Sequence, residues 1–552
     1  MRVGNASRRR HYGGVRAECG EEDLERLETV VSSQRQTVVV IGAGHNGLVA
    51  ACYLAKAGFA PLVLERRPVV GGSAVTEELT PGFLCPALTH SAGSLFRRIA
   101  EELQLDKHGL VMINPDVRVL AVDLEGRALR VYQDPVATAN QLKRISPHDA
   151  QKFSEFHASL AQIRRVAGPL LSMTPPDVDH LKIEDYLNIG KLGLKFRDLD
   201  KKDAYRFLRW APMAVADLVS EWFQTSLVQA TIAARGVFGA SAGPRSAGTS
   251  IGVLLQAAAD GHAVAPALLA KGGAGAITQA LAKAASAAGA RIRTNAAVTH
   301  IRTNNGQAQG VVLSSGEEIS ASAVVSNADP RHTLLKLVDP AALDPSFLIK
   351  VRNYRCTGSA AKVNLALSGL PNFSEISEHI HIGPDIDYLE RAFDQAKYHE
   401  FSPQPYMDIT IPSLADPSLA PKGAHVMSIH VQYAPYELKD GGWNLRREEF
   451  GDAVVRALSS YAPNLRDLIV HRQIITPLDL EQSYGLSGGH IFHGEHSIDQ
   501  FFAFRPFVSW AQYRTPIKRL YLCGAGTHPG GGLTGAPGAN ASREIIKDLR
   551  RT

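Results

Sequence analysis

The stretch Thr37-Val-Val-Val-Ile-Gly42-Ala-Gly44-His-Asn-Gly47 decides the fold. A β-branched strand runs straight into a G-x-G-x-x-G turn. The apolar run from Leu48 to Gly58 follows with helical spacing and a terminal glycine. Gly42 permits the tight turn, Gly44 lets the main chain approach a pyrophosphate, and Gly47 lets the helix pack on the strand. A helix starting near His45 offers free N–H groups and the positive end of its dipole to phosphates. A second strand, Ala60 to Glu65, ends on an acid 18 residues beyond Gly47. That is close to the ~20-residue spacing of a carboxylate that accepts ribose hydroxyls. The pattern predicts the first βαβ unit of a dinucleotide-binding domain in an α/β protein.

Outward from this unit, Arg66-Arg67-Pro68 leads to Gly71-Gly72-Ser73, where a glycine pair suits a second close approach of main chain to a bulky cofactor. Short strands are predicted at Met112 to Asp123 and Leu129 to Gln133, with helices at Ser146 to Arg165 and across Asp198 to Ala234. From Lys271-Gly-Gly-Ala-Gly275 the α/β character returns. A helix (Ala276 to Gly289) is followed by strands at Arg291 to Thr294, Ala297 to Thr303, Ala308 to Leu313 and Ile319 to Ser326. Asn305-Gly306 marks a hairpin. Ala361 to Ala366, Tyr406 to Ile411 and Val426 to Gln432 read as strands of a further sheet. Near the end, the strand Arg519 to Cys523 enters the glycine-rich turn Gly524-Ala-Gly-Thr-His528-Pro-Gly-Gly-Gly532-Leu533, with a helix from about Ala539. A strand before this turn and a helix after it argue against a low-complexity linker.

Composition bounds the function. With 552 residues, 45% apolar and 20% charged, the chain reads as globular, with about two to four domains. Its net charge of +5 is spread along the chain, which is too weak for nucleic acid, and no nucleic-acid-binding motif accompanies it. The five cysteines, Cys19, Cys52, Cys85, Cys356 and Cys523, are odd in number and contain no C-x-x-C. Neither a disulfide framework nor a redox disulfide is expected, and a reducing compartment fits. No apolar run reaches the ~18 residues of a membrane span. Residues 1–36 start basic (Arg2, Arg8, Arg9, Arg10, Arg16) and turn acidic from Glu18 to Glu28. They read as a poorly ordered extension or as an organelle transit peptide. The expected compartment is the cytoplasm, with the mitochondrial matrix as the alternative.

Taken together, these motifs resemble the phytoene-desaturase-like FAD-dependent oxidoreductases, relatives of the amine oxidases with a glutathione-reductase-like fold. The resemblance runs from residue 37 to about 548. It rests on VVVIGAGHNGLVAACYLAKAG (38–58), GGSAVTEELTPGF (71–83), KGGAGAITQAL (271–281) and LYLCGAGTHPGGGLTGAPG (520–538). SNADP (326–330), APKGAH (420–425), GLSGGHIFH (485–493) and SIDQFFAFRP (497–506) are most similar to the pyridine nucleotide-disulphide oxidoreductase domain-containing protein 2 group.

The resemblance implies an interrupted FAD domain, 37–110, 265–335 and 505–552, with an α+β substrate domain, 111–264 and 336–504, threaded between its pieces. It implies noncovalent FAD. Gly42, Gly44 and Gly47 line the pyrophosphate, Glu65 binds the adenosine ribose, and Asn46 and Arg66 belong to the same set. Gly71, Gly72 and Ser73 approach the flavin side, and Val298 meets the adenine through its backbone. Gly524 lies near the ribityl chain, and Gly532 and Leu533 face the pyrimidine edge. The expected activity is dehydrogenation or desaturation of a hydrophobic small molecule by hydride transfer to flavin N5, with quinone or oxygen as acceptor. Alternatives are a carotenoid ketolase or amine-oxidase-like enzyme, and a flavin-bound regulatory protein of low turnover. No second G-x-G-x-x-G follows a strand, so a separate NAD(P) site is not expected. An apolar substrate drawn from lipid implies peripheral membrane association; the oligomeric state is open.

His528 is the titratable residue inside the flavin signature. It stands as a candidate acid–base group, or as a loop histidine satisfied by backbone. His490, His493, Glu495, His496 and Asp499 are too loosely spaced for a metal site, and no metal is expected.

Overall fold

The structure is a computed structural model that describes residues 36–551 apart from 90 and 265–267. The chain divides into Met1–Gln36 and Thr37–Thr552, and the expectations for residues 1–36 lie outside the described residues. Thr37–Ile41 is the middle strand of a five-stranded parallel sheet. Its order is Leu520–Leu522, Ala323–Ser326, Thr37–Ile41, Ala60–Leu64, Arg291–Arg293. Parallel strands covered on both faces need apolar side chains on both. Accordingly Val38, Val40, Val63 and Val325 pack under the helices His45–Lys56, Ala274–Ala287 and Ala536–Leu549. Val39, Ile41, Leu64 and Val324 pack on the opposite face against Ile301 and Val311.

Ile301 and Val311 belong to a three-stranded antiparallel sheet of Val298–Asn304, Gln307–Leu313 and Glu318–Ser320. Asn305 and Gly306 carry φ of 50° and 70°, as a two-residue primed hairpin turn requires. The single strand expected over Ile319 to Ser326 is in fact two. Ala321 N–H donates to Gln309 O in the small sheet, and Ser322 N–H donates to Thr37 O in the parallel one. The chain therefore changes sheets between neighbouring residues. The last helix starts at Ala536 rather than near Ala539, because Pro537 sits in the first turn, where its missing N–H costs nothing.

The second large sheet has seven strands, in the order Ile469–Ile475, Ala360–Leu367, His425–Gln432, Met407–Thr410, His379–Ile382, Val117–Val122, Ala128–Tyr132. Its pairs are antiparallel except His379–Ile382 with Val117–Val122. One face is apolar: Val363, Leu365, Met407, Ile409, Met427, Ile429 and Ile380 pack beneath the helix Gly442–Ser459. Alternation puts polar side chains on the other face, and strand register aligns them in two rows. Lys362, His430, Asp408 and His381 form one, and Asn364, Ser428, Thr410 and His379 the next. All eight are buried. Beyond this face, the helices Pro147–Ser172, Ser226–Val237 and Ser250–Asp260 pack around Phe156, Trp210, Trp222 and Phe223.

Candidate functional site

A cavity of about 460 Å³ lies between the glycine turns of the parallel sheet and the polar face of the seven-stranded sheet. That size suits a bound organic molecule, since such pockets span roughly 300–1,000 Å³. Gly42, Gly44, Asn46, Glu65, Arg66, Gly72, Ser73, Val298, Gly532 and Leu533 all line it, so most of the residues singled out from sequence converge. Gly47, Gly71 and Gly524 do not line it; they pack the main chain behind the wall. A Cβ on Gly47 would stand 2.3 Å from the carbonyl oxygen of Gly42, and one on Gly524 would stand 2.5 Å from that of Asn327. Gly71 bridges Gly44, and its N–H donates to Ala43 O at 2.9 Å.

The helix His45–Lys56 is preceded by Gly44 and has neither a side-chain cap nor an acid in its first turn. Its first N–H groups are thus left for an anion. Glu65 Oε2 accepts from Ala43 N–H at 2.8 Å and Oε1 from Arg67 N–H at 2.9 Å. The carboxylate is held at the strand end with lone pairs to spare for hydroxyl donors. Asn46 Oδ1 and His493 Nδ1 are buried on the cavity wall with no hydrogen-bond partner among the described residues. Buried polar atoms are nearly always satisfied, so the wall fits a polar, phosphate-bearing group. Asn327, whose Nδ2 would meet a Cβ on Gly44 at 2.6 Å, belongs to the same wall.

The opposite wall carries charge. Lys362, Asp408, His379 and His430 reach the cavity from the polar rows, with Arg235 facing them from the helix Ser226–Val237. Asp408 is ion-paired with Arg235 and hydrogen-bonded to His379 Nε2. Arg235 also donates to the Tyr406 hydroxyl at 3.1 Å. His430 shares a hydrogen bond with Gln432 Oε1 at 3.1 Å and stacks on Phe238 at 4.4 Å. Burial pushes the Lys362 amine down to about 7, against the opposing pull of Cys85 and Asp408. Burial also holds His430 and His381 down at about 4, so both rings are neutral near pH 7. None of these residues was singled out from sequence. The signal lay in the alternations Lys362-Val-Asn364, His379-Ile-His381, Asp408-Ile-Thr410 and Ser428-Ile-His430-Val-Gln432, which mark a polar strand face without showing what it meets.

His528 lies apart from the cavity. Its ring is buried off the cavity wall and edge-on to Phe501 and Phe502. Its Nε2 donates to Leu170 O at 2.7 Å. Burial takes its pKa down to about 4. A neutral ring whose proton is committed to a helix carbonyl ties the flavin-signature turn to the Pro147–Ser172 helix, in line with the backbone-satisfied alternative. The looser histidine cluster also disperses. His496 Nε2 accepts from Gly531 N–H at 2.9 Å, while Glu495 and Asp499 pair with Arg355. Among the described residues, no three His, Cys, Asp or Glu stand together as a metal site. No helix among them is long and apolar enough to cross a membrane. Cys52, Cys85, Cys356 and Cys523 are free and buried.

Comparison with known proteins follows the same lines. A family model described as flavin containing amine oxidoreductase matches residues 47–545. Pyridine nucleotide-disulfide oxidoreductase domain-containing protein 2 of Rattus norvegicus is 35% identical, over 93% of this chain and 93% of its own. The lycopene-forming phytoene desaturase of Pantoea ananas is 26% identical, over 91% of this chain and 96% of its own. Among solved structures, an oxidoreductase from Methanosarcina mazei superposes with a TM-score of 0.59 at 16% identity, covering 93% of this chain and 100% of that one. This last likeness carries the fold.

Proposed function

The chain belongs to the flavin-containing amine oxidoreductase family and is an FAD-dependent oxidoreductase; from that premise we propose that it dehydrogenates a hydrophobic small molecule carrying one polar group, using noncovalently held FAD. The observation that carries this reading is a cavity with two unlike walls, one of glycine main chain and one of buried charged side chains. Substrate and acceptor come from this reading, with a quinone or oxygen taking up the electrons. We take 37–110, 265–335 and 505–552 as the cofactor domain, because every strand of the parallel sheet falls in them. The segments 111–264 and 336–504 form the substrate domain.

When bound, FAD accepts a hydride at N5 and passes electrons on singly or in pairs. The chain's own residues do the rest. Gly42 and Gly44 would bring main-chain N–H groups up to the diphosphate, the Glu65 carboxylate would accept from ribose hydroxyls, Gly72 would approach the flavin side, and Gly532 and Leu533 would hold the ring edge. The apolar residues Phe238, Leu255, Ile491 and Phe492 exclude water and bind the body of the substrate. Lys362 Nζ, balanced between charged and neutral near pH 7, takes a proton from the polar group of the substrate. The Asp408–Arg235 pair fixes the wall beside it.

The test is anaerobic mixing of purified yellow protein with a panel of hydrophobic amines, alcohols and isoprenoids, and separately with NADH and NADPH. Bleaching by a hydrophobic compound with one polar group, and fast reoxidation by quinone, supports the reading. Rapid bleaching by a nicotinamide instead overturns it. Acid precipitation should release all the colour; a yellow pellet would contradict noncovalent binding.

A further inference from the structure

We propose that the group oxidised on the substrate is a hydroxyl, taken to a carbonyl, and that the side-chain wall of the cavity refuses an ammonium. The inference rests on the dehydrogenase reading above and names its substrate class. Apart from histidines, six charged residues line the cavity among the described residues. Glu65, Arg66 and Arg67 stand on the glycine wall. Lys362, Arg235 and Asp408 stand on the side-chain wall, two basic groups to one carboxylate. All three are buried, where charge acts more strongly than in water. The carboxylate is already engaged. Its Oδ1 meets His379 Nε2, and its Oδ2 meets Arg235 and, at 3.4 Å, the Tyr406 hydroxyl. Burial keeps the rings of His430 and His381 neutral. It also pushes the Cys85 thiol, which acts on Lys362, up to about 12, so the thiol adds no negative charge.

The donors on this wall point the same way. Arg235 Nε and Gln256 Nε2, both on cavity-lining residues, are buried N–H groups with no hydrogen-bond partner among the described residues. A buried donor needs an acceptor. An ammonium has no lone pair to offer and adds a third positive charge beside Lys362 and Arg235. A hydrocarbon offers buried polar groups nothing. A hydroxyl oxygen is uncharged, accepts from such donors, and carries a proton that Lys362 Nζ can take. In the step this implies, the carbinol C–H bond breaks and its hydrogen leaves with the bonding pair, as hydride, to flavin N5. The O–H bond breaks, its proton passes to Lys362 Nζ, and the electron pair left on oxygen forms the C=O bond. The substrate loses two electrons, the bound FAD gains them, and quinone or oxygen removes them. Negative charge building on the oxygen as the proton leaves is stabilised by Arg235 and by the ammonium forming on Lys362. The groups that repel an amine thus favour the departure of a hydroxyl proton.

The test is titration of the purified, flavin-loaded full chain with octan-2-ol, octan-2-one, 2-aminooctane and octane. Binding is followed in the visible band of the flavin below about pH 7, where the Lys362 amine carries its charge. The alcohol and the ketone should bind about tenfold or more tightly than the amine, and more tightly than octane. Lys362→Met should narrow the margin over the amine while the flavin colour stays at the unsubstituted level. Anaerobic incubation then adds the redox readout: octan-2-ol should bleach the flavin and appear as octan-2-one. Binding of the amine as tight as that of the alcohol overturns the proposal, and so does binding of octane as tight as that of the alcohol. Bleaching by the amine and not by the alcohol overturns it too, and leaves the dehydrogenase reading standing. Absence of bleaching by the alcohol removes the hydroxyl as the oxidised group; the wider panel of hydrophobic compounds then decides whether the dehydrogenase reading falls with it.

Discussion

The two large sheets meet at one cavity and contribute to it in opposite ways. The parallel sheet presents no functional side chain from its strand interiors. Its share comes from turns at the strand ends, where glycines bring main-chain N–H groups close and Glu65 closes the second strand. The seven-stranded sheet contributes through its face, where two rows of polar side chains cross four strands and are buried against the cavity and its surroundings. An invariable ligand can be held by the backbone, which substitution alters little. A particular substrate has to be recognised by side chains, which substitution changes one at a time. The same cofactor platform can therefore serve many chemistries, each written on the second sheet.

The comparison predicts that lesions in the first sheet cost flavin, while lesions in the second cost turnover and leave the colour. The largest effect should come from Lys362→Met, which keeps the length of the side chain and removes the amine. Removing a proton-transfer group typically slows reaction by about 10²–10⁴-fold, so anaerobic flavin reduction by a substrate should fall within that range while flavin content stays unchanged. The pH profile sharpens this. The neutral, proton-accepting amine prevails above about 7, so reduction should accelerate as pH rises through that value, and the limb should vanish in the variant. Loss of flavin with Lys362→Met would break the division between the sheets.

Next comes Gly47→Ala. Its Cβ would meet a backbone carbonyl at 2.3 Å, and overpacking of about 1–3 kcal/mol should weaken flavin binding by about five- to a hundredfold. Equilibrium dialysis against FAD measures it. Glu65→Ala should weaken binding by about tenfold, since each hydrogen bond to a charged group contributes about 1.5–3 kcal/mol and part of that is recovered by water. Unchanged occupancy would remove Glu65 from the ribose site. The smallest effect belongs to His528→Gln, whose amide can still donate to the Leu170 carbonyl. Flavin reduction should stay within about threefold of the unsubstituted rate, as for a residue that does no acid–base work. A large loss of rate with flavin retained would restore His528 to the chemistry.

How far the sequence could be read follows from the same contrast. Glycine spacing is local, and its meaning is set by backbone conformation. Thus the turn at Gly42–Gly47, the Asn305-Gly306 hairpin and the Gly-rich turn before the last helix were all legible. The buried polar rows were not, because alternation alone cannot say whether a polar face meets solvent or a cavity. Lys362 and His430 are neighbours only through strand register, a non-local fact. The two readings of His528 stayed open for a related reason: its motif is local to the flavin turn, but its partner, Leu170, lies on a helix 358 positions away. The strand at Ile319 to Ser326 was read as one because nothing in its composition marks the change of sheet at Ala321.

The parallel sheet also sets an order of events during synthesis. Its middle strand, Thr37–Ile41, is made well before its neighbour Ala323–Ser326, and the edge strand Leu520–Leu522 follows later still. The seven-stranded sheet, apart from its two N-terminal strands, comes from residues made between those two moments. A ribosome that stalls before residue 520 releases a chain with most of its substrate sheet but no finished cradle for the nucleotide. Capture of flavin thus reports that the chain has been made at least through the strand Leu520–Leu522.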